Sequence, residues 1–417
     1  MLRGAGAFAR RSRISPGMKK RVLLIAAKTG YQVREFHGAA ERLGMELTLA
    51  TDRCHVLDDP WADRATAVQF AAPAAGIAAL EERGPFDGIL GVGDQPAIVA
   101  AEAAARLGLR FHPPAAVRAA SDKFRTRERF RAAGLPVPEY ALDPPRPLRY
   151  PCVLKPLNLS ASRGVIRADN AREFEAARAR IRKMTGGAPI LAEDFIPGRE
   201  FALEGMVVSG RLKTLALFDK PDPLEGPFFE ETIYVTPSRE AVEIQRKIQA
   251  AAQAGVTALG LTDGPAHAEM RVNSQGVWML EAAARPIGGL CARVLRFDSA
   301  LKRELSLEEI LLLQAIGEDV STAELAPGAH GVMMIPIAES GVFEGMEGLD
   351  QASRVSGVTE VEITAKEGQK LEALPEGASY LGFIFARACQ PEDAEAALRQ
   401  ASACLRPRMV RALPVVK

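Results

Sequence analysis

The stretch AHAEMRVNSQGVWMLEAAARPIGGL, residues 266–290, constrains the fold of this chain more than any other. It predicts two strands joined by a tight turn, with side chains that alternate between two faces. A three-residue loop with its glycine in a left-handed conformation would pair Asn273 with Val277. Counting outward from that pair places Glu269 directly opposite Glu281, with both side chains on one face.

Two opposed carboxylates repel each other, and a cation between them would remove the repulsion. A few oxygen ligands from protein, completed by phosphate oxygens, suit Mg2+. Arg285 is placed on the same face to neutralise a transferred phosphoryl group. Gly288 and Gly289 would let the backbone approach an anion closely. The alternative is an ordinary exposed hairpin with solvated acids.

Length and composition limit the class of protein. A chain of 417 residues is too long to fold around one hydrophobic core, so two to four domains are expected. The net charge of +1 argues against a nucleic-acid or anionic-membrane partner. Five scattered cysteines without a CxxC pair favour a reducing cytoplasm. Residues 1–17 are basic and predict a disordered leader, so that the fold begins at Met18.

Strands and helices alternate in the first hundred residues of the fold. Buried strands are predicted at 21–27, 45–50 and 87–92, with one helical pattern after the first strand, to about Leu43, and an alanine-rich one after the third, to Leu107. This alternation predicts a parallel α/β sheet, in which ligands gather at the carboxyl ends of strands. Residues 29–31 and Asp94 follow two of these strands and would face a shared cleft, although plain strand-ending turns are the alternative.

Two lysines then occupy positions suited to an anion. Ser121 is the predicted N-cap of a basic helix, which leaves Lys123 in the first turn, where a cation opposes the helix dipole. Lys155 ends the predicted strand 150–156. The small-residue loop NLSASRG at 158–164 follows and could wrap backbone N–H groups around phosphates. A mobile hairpin loop is the alternative.

The second half of the chain is rich in strands. Residues 190–218 predict an antiparallel meander, and a helix is predicted at about 239–254. From Gly331 onward, short strands and a helix near 391–404 predict a small α+β lobe.

Five short motifs follow one another along the chain in an order that resembles a known family. They are DKxxxR at Asp122, VLKP at Val153, the small-residue loop at Ser160, ExxIxGxE at Glu193 and ExxxR at Glu281. This series resembles the ATP-grasp superfamily, and within it the carboxylate–amine ligases related to L-amino acid ligases. The resemblance covers roughly residues 18–417 and implies a multidomain protein of α/β and α+β class with the ATP-grasp fold.

The implied domains follow from that fold. They are a Rossmann-like pre-ATP-grasp domain at 18–118, the small ATP-grasp lobe at 119–192, the large lobe at 193–325 and a small C-terminal α+β lobe at 326–417.

The resemblance also implies a role for each matched residue. The phosphates of ATP would be held by Lys123, Lys155 and the flap residues Ser160, Ser162 and Gly164. The nucleoside would be held by Glu193, Asp194, Ile196 and Glu200. Magnesium would be bound by Glu269 and Glu281, and the transferred phosphoryl group by Arg285. Many relatives carry Asn where this chain has Ala283, which removes one magnesium ligand that water can replace.

The implied activity is an ATP- and Mg2+-dependent ligase, with Mn2+ as an alternative ion. It would activate a small carboxylate, such as an amino acid, as an acylphosphate, join it to an amine, and release ADP and phosphate. A bicarbonate-using carboxylase or carbamoyl-phosphate-type enzyme and a non-catalytic nucleotide-binding scaffold are the alternatives. Many relatives are dimers, which implies a homodimer.

Three residues have candidate roles toward the amine. His267 lies on the Glu269 face and is a candidate base, with a satisfied structural histidine as the alternative. Glu230 and Glu231 are candidates to bind an ammonium group, with a solvated acidic loop as the alternative. Lys220 also resembles these ligases, without an assigned role.

Overall fold

The structure is a computed structural model that describes residues 19–27, 31–52, 65–147, 149–377 and 379–411. The predicted leader at 1–17, its boundary at Met18 and the turn residues 28–30 lie outside the described residues.

The N-terminal region forms a parallel sheet of four strands in the order β3-β2-β1-β4. Its elements are β1 (Arg21–Ala26), α1 (Tyr31–Arg42), β2 (Glu46–Thr51), β3 (Thr66–Ala67), α2 (Ala74–Arg83), β4 (Gly88–Val92), α3 (Asp94–Leu107) and α4 (Pro114–Ala120). The apolar run of β1 is buried between the helices on both faces, as near-continuous hydrophobic strands of parallel sheets are. The predicted parallel α/β unit is therefore confirmed.

A second, antiparallel sheet follows, with the strand order β5-β8-β6-β7. Its region contains α5 (Lys123–Ala132), β5 (Tyr140–Leu142), β6 (Cys152–Pro156), β7 (Ile166–Ala168), α6 (Ala171–Thr185) and β8 (Ile190–Asp194). The predicted boundary between residues 192 and 193 falls inside β8.

The predicted N-cap of α5 was wrong by one residue. The Asp122 side chain accepts the Arg125 N–H at 3.0 Å, whereas the Ser121 hydroxyl donates to the Val117 carbonyl of the preceding helix at 2.9 Å. Ser121 is thus engaged in ending α4, and Asp122 takes the capping role that carboxylates fill well. Lys123 lies in the first turn of α5, as predicted.

The meander, the strand that follows it and the opening hairpin supply five of the eight strands of a larger sheet. The elements are β9 (Arg199–Val208), β10 (Arg211–Lys220), β11 (Ile233–Thr236), α7 (Val242–Leu259), β12 (Gly264–Asn273) and β13 (Gly276–Ala283).

The remaining elements complete that sheet and add two small ones. They are a 3-10 helix (Cys291–Val294), β14 (Arg296–Asp298), β15 (Leu305–Ser306), α8 (Leu307–Ala315), β16 (Glu324–Leu325), β17 (Ala329–Ile335), β18 (Gly341–Glu347), α9 (Leu349–Ser353), β19 (Val358–Ile363), β20 (Lys370–Leu371), β21 (Gly382–Ala388), α10 (Pro391–Cys404) and β22 (Arg406–Val410).

The large sheet has eight strands in the order β13-β12-β9-β10-β11-β17-β21-β19. Strand β11 pairs with β17 from Ile233 opposite Met333 to Thr236 opposite His330. The sheet therefore continues across the predicted boundary between residues 325 and 326. The C-terminal region shares its main sheet with the hairpin region.

The hairpin itself differs from the prediction at its turn. Asn273 pairs with Gly276 rather than with Val277, so the loop has two residues. A β-bulge at Leu280 then shifts the register by one residue and brings Glu269 directly opposite Glu281. The predicted carboxylate pair is confirmed, although the predicted loop was wrong.

Across the described part of the chain, no helix is both long enough and apolar enough to cross a membrane. The cysteines described there, Cys152, Cys291, Cys389 and Cys404, are all free thiols.

Candidate active site

A cleft of about 440 Å3 opens between the four regions of the chain. Asp94 of the N-terminal sheet, Lys155 of the second sheet, Glu269 of the large sheet and Tyr380 of the C-terminal region all line it. The residues predicted for the site that line the cleft are Lys123, Lys155, Ser160, Ser162, Glu193, Asp194, Ile196, Glu200, Glu231, His267, Glu269, Glu281, Arg285, Gly288 and Gly289.

Two predicted site residues lie outside the lining. Glu230 is half-buried. Burial raises the pKa of its carboxyl, although a backbone hydrogen bond from Ile337 acts in the opposite direction. Gly164 has φ +71°, and its N–H donates to the Pro375 carbonyl at 2.9 Å. Its amide thus contacts the C-terminal region instead of the cleft.

Further contacts hold the flap loop to that same C-terminal segment. Arg163 of the flap donates to the Glu376 carbonyl at 2.9 Å. Arg180 of α6 binds the Glu376 carboxylate with two hydrogen bonds of 2.5 and 2.7 Å. We call these contacts, together with the Gly164 bond, the flap latch, because they tie α6 and the loop between β6 and β7 to the C-terminal region.

The paired carboxylates differ in their surroundings. Glu269 accepts hydrogen bonds from Lys220 at 2.7 Å and from the Tyr234 hydroxyl at 3.4 Å. Burial would raise the pKa of Glu269, but the charge of Lys220 outweighs it and holds the pKa well below the usual range. Glu281 lies 3.9 Å from the Arg285 guanidinium and is more exposed. Glu269 is therefore held as a carboxylate, and Glu281 lies opposite it with its side chain partly open to the cleft.

This donor set suits a hard cation that brings other ligands with it. Two carboxylates offer oxygen ligands of the kind that Mg2+ prefers. Among the described residues, no cluster of three or more His, Cys, Asp or Glu side chains could hold a metal ion. The remaining ligands would have to be water or oxygens of a bound nucleotide, which is usual for Mg2+.

Arg285 is fixed by the N-terminal sheet. Its Nε donates to Asp94 at 2.8 Å, and Asp94 begins α3 directly after β4. Burial would lower the pKa of Arg285, yet Asp94 and Glu281 raise it, so the guanidinium stays charged. Asp94 therefore lines the cleft, as one of the two interpretations of the strand ends predicted, whereas Thr29 and Gly30 lie outside the described residues. The carboxyl end of β4 therefore contributes directly to the site.

The two lysines converge near the start of α5. Lys123 donates to the Leu159 carbonyl at 2.5 Å, and Lys155 forms an ion pair with Glu193. Burial lowers the pKa of Lys123, and the charge of Glu281 opposes that effect. Two ammonium groups beside a helix N-terminus form an environment that favours an anion such as a phosphate.

Arg127 is a site residue to which the sequence assigned no role. Its guanidinium, 2% exposed, binds Glu193 through bonds of 2.8 and 3.1 Å. A third bond of 2.8 Å reaches the carbonyl of Leu280, the bulge residue beside Glu281. Burial would raise the pKa of Glu193, but Arg127 and Lys155 lower it to about 2. Arg127 is the last residue of the DKxxxR motif, one helical turn after Lys123, and this spacing was the available signal.

Lys220 is the centre of a second buried cluster. Its ammonium group binds Glu200 at 2.8 Å, Glu231 at 3.0 Å and Glu269 at 2.7 Å. Burial would lower the pKa of Lys220, but the three carboxylates raise it well above the usual range. The Tyr234 ring faces the same ammonium at 4.9 Å. Glu200 lies directly opposite Lys220 on the neighbouring strand β9, whereas Glu231 comes from the loop before β11 and Glu269 from β12. The predicted meander did not specify its register, so the sequence did not predict this cluster.

Arg271 supports the wall where the nucleoside was predicted. It binds Glu200 at 2.9 Å and donates to the Ile196 carbonyl at 2.8 Å. Its guanidinium lies over the rings of Phe195 and Phe229, at 5.1 and 5.7 Å from their centroids. The result is a rigid wall with aromatic rings and backbone polar groups along the cleft.

His267 lies between two acids. Its Nδ1 is 3.3 Å from Glu204 and its Nε2 is 3.7 Å from Glu269. Burial would lower the pKa of the imidazole, but the two acids outweigh it and raise the pKa to about 9. Glu204 also accepts the Ile287 N–H at 3.1 Å. A protonated imidazole has no lone pair for a proton, so this arrangement favours the structural role of His267 over that of a base.

Three family descriptions match successive parts of the chain. They are the ATP-grasp N-terminal domain at residues 36–110, the ATP-grasp domain at 148–294 and the L-amino acid ligase C-terminal domain 2 at 333–410.

Similar proteins agree with these matches. The alanine–anticapsin ligase of Bacillus subtilis is 29% identical over 219 residues, which cover 45% of this chain and 46% of the relative. This chain thus spans about half the length of that relative. The D-alanine–D-alanine ligase of Synechococcus sp. (strain JA-2-3B'a(2-13)) is 27% identical over 245 residues, which cover 54% and 72%.

A solved structure matches nearly the whole chain. The crystal structure of the L-amino acid ligase from Bacillus licheniformis is 26% identical, with a TM-score of 0.81 over 94% of this chain and 99% of that one. The fold, the order of the three domain matches and these relatives show that the chain belongs to the ATP-grasp superfamily.

Proposed function

We propose that this protein is an ATP- and Mg2+-dependent ligase that joins a small carboxylate to an amine and releases ADP and phosphate. One observation carries the proposal: Glu269 lies directly opposite Glu281 in the same cleft as Arg285, Lys123 and Lys155. That constellation combines two oxygen ligands for a metal with three cations for a triphosphate.

The nucleotide would lie along the wall between the two ATP-grasp lobes. We assign the adenine to the backbone of Asp194 and Ile196 and the ribose hydroxyls to Glu200. The Glu193 carboxylate is engaged by Arg127 and Lys155, so we assign it to positioning Lys155 rather than to adenine.

The phosphates would meet the positive end of the cleft. Lys123, Lys155 and the flap hydroxyls of Ser160 and Ser162 would hold the triphosphate. Glu269 and Glu281 would hold Mg2+, or Mn2+, which when bound neutralises phosphate charge. Arg285 would neutralise the transferred phosphoryl group, and its bond to Asp94 keeps it oriented before substrate arrives.

Activation of the carboxylate is needed because an amine cannot expel oxide. Transfer of a phosphoryl group to the carboxylate oxygen makes an acylphosphate, from which the amine then displaces phosphate. The chain's contribution would be positioning and charge neutralisation rather than covalent chemistry. Glu231, which lines the cleft, would bind an ammonium group of a substrate.

The test is a panel of amino acids, supplied with ATP and Mg2+, scored by ADP release and by mass detection of the products. Release of ADP that depends on both an acid and an amine is the expected result. AMP and pyrophosphate would contradict the proposal. ADP release that depends on bicarbonate would favour the carboxylase alternative, and no turnover at all would favour the scaffold.

A variant with a matched control sharpens this test. Glu281→Gln should lower kcat by at least about a hundredfold, because the metal site loses a charged ligand. The control is Glu243→Gln on α7, an exposed acid paired with Lys247 at 2.9 Å, which should keep full activity. Equal activity of both variants would contradict the assigned metal site.

The homodimer and the cytoplasmic location stay predictions. Light scattering of the purified chain and cell fractionation would test them.

A further inference from the structure

One end of the cleft is lined by apolar side chains from the C-terminal half of the large sheet. Met334 of β17 and Phe383 of β21 are directly opposite each other. Tyr234 of β11 pairs with Val332, two residues before Met334, so that its side chain lies on the same face. The Tyr380 ring meets Phe383 edge to face, with 6.0 Å between centroids. We call Tyr234, Met334, Tyr380 and Phe383 the apolar wall.

The apolar wall is continuous with the loop that follows Arg285. A Cβ atom built on Gly289 would lie 3.5 Å from Met334 Sδ. A Cβ built on Gly288 would meet no atom within 4 Å. The two glycines therefore leave open space between the wall and Arg285, where a ligand side chain can fit.

Charged groups border the apolar wall on one side. The Met334 N–H donates to the Thr232 carbonyl at 2.7 Å, and Glu231 directly precedes that residue. Glu231 reaches into the cleft toward Lys220. Glu231, the apolar wall and Arg285 thus line the same cleft. Together they offer one partner each for the ammonium group, the side chain and the carboxylate that an α-amino acid carries on its α-carbon.

We infer that the activated substrate is an α-amino acid with a large apolar side chain, such as phenylalanine, leucine or methionine. The inference rests on the proposed function. The side chain would pack on the apolar wall, with its ammonium group at Glu231 and its carboxylate toward Arg285. Burial of each further methylene on the apolar wall favours the larger substrate, and a charged side chain packed against these rings and Met334 would lose hydration.

The experiment compares kcat/KM for ADP release across phenylalanine, leucine, methionine, alanine, aspartate and lysine as the carboxylate, with one fixed amine. The kcat/KM for the large apolar amino acids should exceed that for alanine by about a hundredfold, and it should exceed that for aspartate and lysine by a larger factor. Alanine or aspartate as the best substrate would overturn the inference and leave the ligase standing. ADP release with none of these amino acids would overturn the proposed function and this inference with it.

Two matched variants locate the effect. Phe383→Leu alters the apolar wall, whereas Phe343→Leu alters a buried aromatic of β18 that lies in another part of the core and does not line the cleft. Phe383→Leu should lower the ratio of kcat/KM for phenylalanine over alanine about tenfold, and Phe343→Leu should leave it unchanged. Equal ratios in both variants would overturn the inference.

A third variant guards against a folding defect. Met334→Leu conserves volume but changes the shape of the wall, and it should alter the same ratio about threefold while the thermal midpoint stays within a few degrees. Since the ratio compares two substrates on one protein, a loss of folded protein does not move it.

Discussion

Replacing Arg127 by methionine should destabilise the fold and displace Glu281. The guanidinium is buried and makes three hydrogen bonds of 3.1 Å or less, two to Glu193 and one to the Leu280 carbonyl at the bulge. Methionine has similar length but no donor. It would leave a buried carboxylate with one cation fewer and a bulge carbonyl without its bond.

The magnitude follows from the pKa of Glu193. Its lowering from 4.5 to about 2 corresponds to about 3 kcal/mol of preference for the charged form. Loss of one partner from a buried ion pair typically costs about 3–5 kcal/mol. Because Lys155 still faces Glu193, we expect a loss near 3 kcal/mol at pH 7. The folded-state pKa is depressed, so this stabilisation is present above pH 4.5 and is lost as the pH falls toward 2.

Urea unfolding at pH 7 measures this loss. The matched control is Arg125→Met on the same helix, where the side chain is exposed and lies 3.8 Å from Asp122; it should change stability by less than about 0.5 kcal/mol. Arg127→Lys keeps a charge but not the planar fork and should recover only part of the loss. A loss below about 1 kcal/mol for Arg127→Met, or equal losses in both helix variants, would refute the reasoning.

Two further predictions concern other contacts. His112 accepts the N–H groups of Thr262 and Asp263 at 3.1 and 3.2 Å, and burial lowers its pKa to about 4. Because the unfolded chain takes up this proton near pH 6.5, stability should fall by on the order of 3 kcal/mol between pH 6.5 and 4, and thermal melts of His112→Gln should lose that dependence. Glu376→Gln should weaken the flap latch and raise KM for ATP by up to about fivefold, since exposed ion pairs contribute at most about 1 kcal/mol. Initial rates check this, and an unchanged KM would show that Arg180 does not help to close the flap.

The periodic features of the chain were predictable from sequence. Alternation along 266–290 placed Glu269 opposite Glu281, even though the turn was assigned the wrong length. The bulge at Leu280 compensated for that error, and its partner Arg127 lies 153 positions away. Local patterns carry no information on such a distant hydrogen bond.

Contacts between distant strands were not predictable for the same reason. The sequence predicts Lys220 only as the polar end of an apolar strand. In the structure its ammonium group forms ion pairs with acids from three separate segments. The separate C-terminal lobe was expected from its own run of short strands. Nothing in that run predicts that β17 pairs with β11, because the sequence of a strand does not show which neighbouring strand its edge will meet.

The pairing of β11 with β17 has a consequence for anyone who recombines related chains. A cut after residue 325 would strip β11 of its neighbour and leave a bare row of amides and carbonyls, which invites intermolecular association. A chimera that keeps this pairing would need β11 and β17 on the same side of its crossover. The part of the cleft that these strands line would then be exchanged as one unit.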